Sequence, residues 1–368
     1  MQRGKIIAIV LVLATAGLAA WLAIALFVPY RDYPAESIFV DIPRGTSARG
    51  VARLLASRGV VRSVVAFELL SRWRSGATLQ AGEYRFERPM TALEVHRQIA
   101  EGRIFVQTIL IPEGLTMLDL ASLLEQQGLV RRGAFPAAAR EASLVADLAP
   151  NAKTLEGFLF PATYQFPRRV EPAEVAAAMV RRFREVWASL PEEGRNPHGL
   201  SAAEVVALAS LVEKETGLDE ERPLVAGVFY NRLRRGLALQ CDPTVIYALR
   251  LADRYRGTLT TRDLAFNSPY NTYRRRGLPP GPIASPGTAS LRAALYPPKT
   301  DYLYFVSNMQ GGHFFAKTLA EHNKNVARYR RLQAEAARAQ LNGAQPAAAP
   351  PRQVGAPPAK SVRARGSR

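Results

Sequence analysis

The sequence predicts an α+β chain in three parts: an N-terminal transmembrane helix, a small α+β module and a larger mixed α/β domain. Three observations carry this. An almost purely apolar run opens the chain, and a strand–turn–helix pattern then occurs twice. Through the remainder, amphipathic helices alternate with short strands and proline-rich loops.

From Ile6 to Val28 only Thr15 and Gly17 interrupt the apolar character. About 23 residues at 1.5 Å each are long enough to cross a bilayer. Trp21 and Tyr30 suit the outer interface, while Arg3 and Lys5 in the leader (residues 1–5) favour an inside N-terminus. Ala19-Ala20 mimics a signal cleavage site, but the run continues through Phe27, longer than an ordinary signal core. The expectation is a single-pass anchor in the cytoplasmic (inner) membrane, with everything after Tyr30 on its outer, periplasmic side.

The repeat follows. Ile42-Pro43-Arg44-Gly45-Thr46-Ser47 leads into Val51-Ala52, Leu54-Leu55 and Gly59-Val60-Val61. Ile111-Pro112-Glu113-Gly114-Leu115-Thr116 leads into Leu120-Ala121, Leu123-Leu124 and Gly128-Leu129-Val130. Each copy reads as a strand end, a Pro/Gly turn, a Ser or Thr cap and a short amphipathic helix, closed by a glycine where a helix turns left-handed. Leu79 to Phe86 reads as a turn into a strand and Thr91 to Ala100 as another short helix. These elements place the small module at 37–131 and the larger domain at 132–335. Residues 341–368 form an Ala/Pro/Arg-rich tail whose composition predicts disorder.

Composition narrows the function classes. The 368 residues carry a net charge of +18 and are 48% hydrophobic, enough for real cores. The basic residues are scattered, with several in the tail and no compact basic stripe interleaved with aromatics, which argues against a nucleic-acid partner. Attraction to anionic lipid or an anionic polymer accounts for the charge equally well. Cys241 is the single cysteine, and His96, His198, His313 and His322 have no metal-ligand spacing. No disulfide, metal or cofactor is expected.

Ser201 to Thr216, SAAEVVALASLVEKET, is the stretch around which the larger domain is organised. Ser201 can cap the first turn while Glu204 reaches back to its amide. Val205, Leu208, Leu211 and Val212 cover one side, extended by Val206 and Ala209, so the helix is expected to be largely buried. Glu213 and Glu215 near its end lie about 200° apart around the axis. Each falls beside apolar neighbours, which favour a protonated carboxyl of the kind a general acid needs. The rival reading is that one or both pair with Arg or Lys and only hold the helix. The wheel does not choose between the two acids.

Around this helix, Leu155 to Tyr164 reads as a packed aromatic turn, Glu171 to Leu190 as an Arg-bearing helix and Arg222 to Arg235 as another. Leu239-Gln240-Cys241-Asp242-Pro243-Thr244 places a carboxylate and a hydroxyl on a turn before a helix. Asn267-Ser268-Pro269-Tyr270-Asn271-Thr272-Tyr273, Gly277 to Ile283 and Ser285-Pro286-Gly287 are polar and aromatic loops stiffened by proline. Tyr rings cover sugar faces, and Asn, Gln and Thr bond hydroxyls and amides. Rigid loops lower the ordering cost of binding. Gln240, Asp242, Thr244, Tyr270, Asn271, Thr272 and Tyr273 are the candidate groove contacts; the alternative is an ordered surface loop. Asp301 to Val306 reads as a strand, Gly311-Gly312-His313 as a turn and Thr318 to Glu335 as the last helix.

These segments together resemble the YceG-like endolytic murein transglycosylases, also called the MltG family. The matching residues are Leu155-Glu156-Gly157 to Tyr164, Leu211 to Thr216, Asn231-Arg232-Leu233, Leu239-Gln240, Asp242-Pro243-Thr244, Tyr270 to Tyr273, Gly277 to Ile283 and Gly311-Gly312-His313. The small module is similar to the family's LysM-like part. The resemblance implies cleavage of the β-1,4 bond between N-acetylmuramic acid and N-acetylglucosamine in peptidoglycan, leaving 1,6-anhydromuramyl ends and limiting strand length. It also implies that Glu213, the first acid of Val-Glu-Lys-Glu-Thr, is the catalytic one. Peptidoglycan strands are then the expected partner, with membrane lipid around the first helix and peptidoglycan synthases alongside. A membrane-tethered glycan-binding scaffold and a lysozyme-like muramidase, with Asp242 activating water, are the alternatives.

Overall fold

A computed structural model gives the architecture and describes residues 2–74, 76, 78–192 and 196–341. Apart from Leu341, the tail therefore lies outside the described residues. The chain forms two compact units. One comprises residues 1–108 with 165–169, and the other 109–164 with 170–368. Mixed helix and small sheets characterise both, and the described strands form three two-stranded sheets.

In the smaller unit, α1 (Gln2–Phe27) is the apolar run, and Arg3–Phe27 is long and apolar enough to cross a membrane. Its last turns are not bare: Ala25 is buried and Leu26 packs on the core formed by the elements that follow. Strand β1 (Ile38–Ile42) pairs antiparallel with β2 (Gly82–Phe86), Ile38 opposite Phe86 and Ile42 opposite Gly82. Between them run α2 (Ala48–Ser57), capped by Ser47, and α3 (Val64–Trp73), capped by Ser63. Helix α3 is an element beyond those expected from the sequence. Helix α4 (Ala92–Ala100) follows, opened by a reciprocal cap of Thr91 and Glu94. Val40, Ile42, Val51, Leu55, Phe67, Tyr84, Phe86 and Ile99 make the core.

The chain passes to the larger unit along β3 (Gln107–Leu110), whose partner is β4 (Thr163–Phe166). The second repeat copy belongs to this unit. Its turn enters α5 (Met117–Gln126), where Thr116 and Asp119 cap each other as Thr91 and Glu94 do in α4. Gly59 and Gly128, one residue beyond the caps of α2 and α5, have φ of +71° and +67°, the left-handed stop that the repeat pattern predicts.

After the short α6 (Phe135–Ala138) come α7 (Pro172–Ser189), α8 (Ala202–Glu215), α9 (Arg222–Arg234) and α10 (Asp242–Leu251). Helix α7 buries one face through Val175, Met179, Val180, Phe183 and Val186. Every residue of α8 from Val205 to Val212 is buried, and Ser201 and Glu204 form the predicted capping box. Helix α8 packs against α9, α10 and α11 (Thr288–Leu295). The last of these was absent from the sequence reading, although Leu291, Ala294 and Leu295 have helical spacing and are buried. Strands β5 (Tyr304–Ser307) and β6 (His313–Ala316) pair antiparallel, and α12 (Leu319–Leu341) follows.

Candidate active site

Helix α8 sends its two terminal acids to different neighbourhoods, as an angle of about 200° requires. Glu213 has a side chain only 6% exposed. Its Oε2 accepts the Gly287 N–H at 3.0 Å, where α11 begins, and faces Arg222 Nη1 at 3.1 Å. The surroundings are therefore not the aliphatic ones expected for it. A helical wheel shows only neighbours on the same helix, whereas Arg222 comes from the start of α9, after the chain has reversed.

Arg222 is a hub. Its Nε donates to Asp219 Oδ1 at 2.9 Å and its Nη1 to Ser290 Oγ at 2.6 Å, while its Nη2 lies 3.9 Å from Glu113 Oε2. Burial works against its charge, but the Glu213 carboxylate, helped by Asp219, outweighs this and holds the guanidinium pKa above its ordinary value.

Glu113 arrives from the turn of the second repeat copy. That turn is fixed on both sides: Gly114 N donates to Ser285 O and Ser285 N to Leu115 O, each at 2.9 Å. Lys214 Nζ adds a bond to Gly114 O at 3.0 Å. The Glu113 side chain stays 49% exposed and lies over Gly287, where a Cβ would come within 1.9 Å of its Oε1. Burial, and then the nearby Glu213 charge, push the Glu113 carboxyl above the usual carboxylate range, with Arg222 opposing.

Glu215 meets a second cluster. Burial pushes its carboxyl up to about 7; the Cys241 thiol bonds to it and lowers the value, and the Asp242 charge raises it. Asp242 is buried and pushed up to about 6 by desolvation, against a hydrogen bond from the Tyr273 hydroxyl; its Oδ2 is buried without a partner. Burial first, then Glu215, also raises the Cys241 thiol.

The candidate groove residues gather on this side rather than beside Glu213. Thr244, Asn271 and Thr272 are 0%, 0% and 1% exposed. Thr244 Oγ1 bonds to Cys241 O and to Thr272 Oγ1, and Thr272 Oγ1 takes the Cys241 N–H. Asn271 Nδ2 donates to Leu264 O and Phe266 O, and its Oδ1 takes the Tyr273 N–H. These three satisfy backbone groups inside the loops and present no surface to a ligand. Asp242 lies at the first turn of α10, not on a turn ahead of it. Gln240 is exposed, in a left-handed conformation with φ +53°, and its Oε1 accepts from Arg232 Nη2 at 2.6 Å. Tyr270 is half-buried, its ring centroid 5.0 Å from that of Tyr247.

The Leu155-Glu156-Gly157 turn braces the site. Glu156 is buried; both its oxygens accept the N–H of Met117, the first residue of α5, at 3.0 Å, and its Oε2 accepts from Tyr247 at 3.1 Å. A second tie runs from α10 to the same helix, Arg250 Nη1 to Asp119 Oδ2 at 2.8 Å.

Burial pushes the Glu156 carboxyl from 4.5 up to about 7, with Met117 and Tyr247 holding it lower than burial alone would. Unfolded, Glu156 ionises above its ordinary value while the folded protein keeps it protonated. Its contribution to stability is therefore fully present below pH 4.5 and lost as pH rises through about 7. The loss amounts to about 3 kcal/mol. Melting curves between pH 5 and 8 are expected to show Glu156→Gln losing less stability on alkalinisation than the unmodified chain; parallel pH dependences would contradict this.

Carboxylates converging on one arginine among rigid loops are the equipment of proton-transfer chemistry. The chain belongs to the YceG-like family, whose pattern matches residues 40–328. It is 32% identical over 321 residues to the endolytic murein transglycosylase of Bacillus subtilis (strain 168), covering 83% of this chain and 88% of that protein. The endolytic murein transglycosylase of Streptococcus pneumoniae serotype 2 is 28% identical over 330 residues, 79% of this chain and 58% of that longer one. A crystal structure of a YceG-like protein from Listeria monocytogenes superposes with a TM-score of 0.51 at 32% identity, covering 78% of this chain and 98% of that one.

Proposed function

We propose that this chain is an endolytic lytic transglycosylase that cuts peptidoglycan strands between N-acetylmuramic acid and N-acetylglucosamine. The observation that carries the reading is Glu213, deeply set at the end of a buried helix and oriented by Gly287 N–H and Arg222. A group so fixed meets the positional demand of general acid catalysis. Glu213 gives its proton to the leaving O4 of N-acetylglucosamine as the C1–O4 bond breaks. The C6 hydroxyl of the muramic residue then attacks C1 and releases its proton to the site, closing the 1,6-anhydro ring without water. Gln240, Tyr270 and Tyr273 retain exposed surface and are assigned to the glycan; Asp242 is assigned to positioning Tyr273.

The smaller unit, with its strand–helix–helix–strand order, is read as LysM-like and as an aid to holding the strand. Helix α1 is read as a single-pass anchor in the cytoplasmic membrane with its N-terminus inside. That arrangement keeps the enzyme on newly made strands, beside the synthases that make them, and limits strand length.

Mass spectrometry of purified glycan strands digested by the full chain in detergent tests the reaction. Anhydromuramyl ends are expected. Reducing ends, heavier by one water, would make the protein a muramidase, and binding without new ends would make it a scaffold.

A further inference from the structure

Three carboxylates, Glu113, Glu213 and Asp219, converge on the single guanidinium of Arg222. One positive charge does not balance three negative ones, and close carboxylates resist ionising together. Lys214, the other cation at this spot, is held on the Gly114 carbonyl. Of the two acids that flank Gly287, Glu213 is enclosed and Glu113 open to solvent. Glu113 belongs to a repeat turn, and no reading of the family motifs above gives it a role.

We propose that Glu113 is a second catalytic carboxylate that works with Glu213 as a pair holding one proton between them. This rests on the transglycosylase reading above. Arg222, closer to Glu213 than to Glu113, draws the shared proton to Glu113 at rest; it passes to Glu213 and on to the leaving O4 as C1–O4 breaks. Glu113, ionised at that moment, takes the proton of the C6 hydroxyl as O6 bonds to C1. The pair begins and ends with one proton, held on Glu113 at rest. No water or co-reactant enters.

The test uses the full chain in detergent, glycan strands as substrate and the pH dependence of kcat/KM. An acid and a base acting together give a bell whose limbs belong to the pair. Glu113→Gln is expected to lower kcat at least about tenfold with little change in KM, and to abolish the acidic limb while leaving the alkaline one. Glu113→Asp should restore the acidic limb in part, which a merely structural role would not produce. Gly287→Ala is the second variant. Its new Cβ would fall 1.9 Å from Glu113 Oε1, so it displaces that flexible carboxylate and should lose the same limb. An unchanged bell in Glu113→Gln, with kcat within about threefold of the unmodified chain, would overturn the pair. Product mass separates this failure from that of the parent reading: anhydro ends with an unchanged bell remove only Glu113, whereas reducing ends from the unmodified chain remove the transglycosylase itself.

Discussion

Glu213→Gln is expected to lower the formation of anhydromuramyl ends by about 10²–10⁴-fold, the usual share of a positioned general acid. The substitution keeps the shape of the side chain and an oxygen for the Gly287 N–H but removes the transferable proton. Arg222 keeps Asp219 and Ser290, so the fold should survive, and a melting curve close to that of the unmodified chain would verify it. Glu215→Gln is the informative partner. Glu215 bonds to Cys241 and lies by Asp242, away from Arg222, so its substitution should leave turnover within about tenfold. The reverse outcome, with Glu215→Gln inactive and Glu213→Gln active, would move the acid to the cluster where the candidate groove residues gather.

A large effect on stability is expected from Gly157→Ala. Gly157 has φ +83°, and a Cβ there would stand 2.4 Å from both Cβ and Cγ of Pro282 and 3.0 Å from Val206 Cγ1. Pro282 cannot yield easily: it is a ring, and the next residue's N–H is bonded to Ser210 Oγ at 3.0 Å. The left-handed backbone and the overpacking together cost about 2–4 kcal/mol. Gly236→Ala makes the comparison clean, because Gly236 has φ +65° but open space around it and should cost only about 1 kcal/mol. Chemical denaturation of the two variants measures the difference, and equal midpoint shifts would show that the Pro282 contact does not matter. The same displacement of the proline loop should depress turnover in Gly157→Ala more than in Gly236→Ala.

What the sequence made legible was local. Capping residues, the glycine stops after α2 and α5, and the opposed faces of Glu213 and Glu215 all follow from spacing within one helix or turn. What it hid was long-range. Arg222 reaches Glu213 after a chain reversal, and Glu113 reaches the same arginine from a turn far back in the sequence. No periodicity encodes such meetings. Thr244, Asn271 and Thr272 show a different limit. Polar side chains on proline-stiffened loops read equally well as ligand contacts or as partners for loop backbone, and here they are partners. Helix α11 is short, eight residues, and follows directly on a proline-rich run, so its apolar pattern of Leu291, Ala294 and Leu295 is brief beside the loop signals before it.

The duplicated turn has one more consequence. Gly45 and Gly114 share nearly the same backbone, φ +79° and +72°, yet a Cβ at Gly45 would meet nothing while one at Gly114 would lie 3.6 Å from Glu213 Cγ. The residue before each differs in charge, an exposed Arg44 in one copy and Glu113 in the other. The same turn thus serves two ends, one copy shaping the smaller unit and the other, inside the larger unit, setting an acid beside Arg222. With the backbone of the turn nearly unchanged, the charge at its tip is what sets the two copies apart.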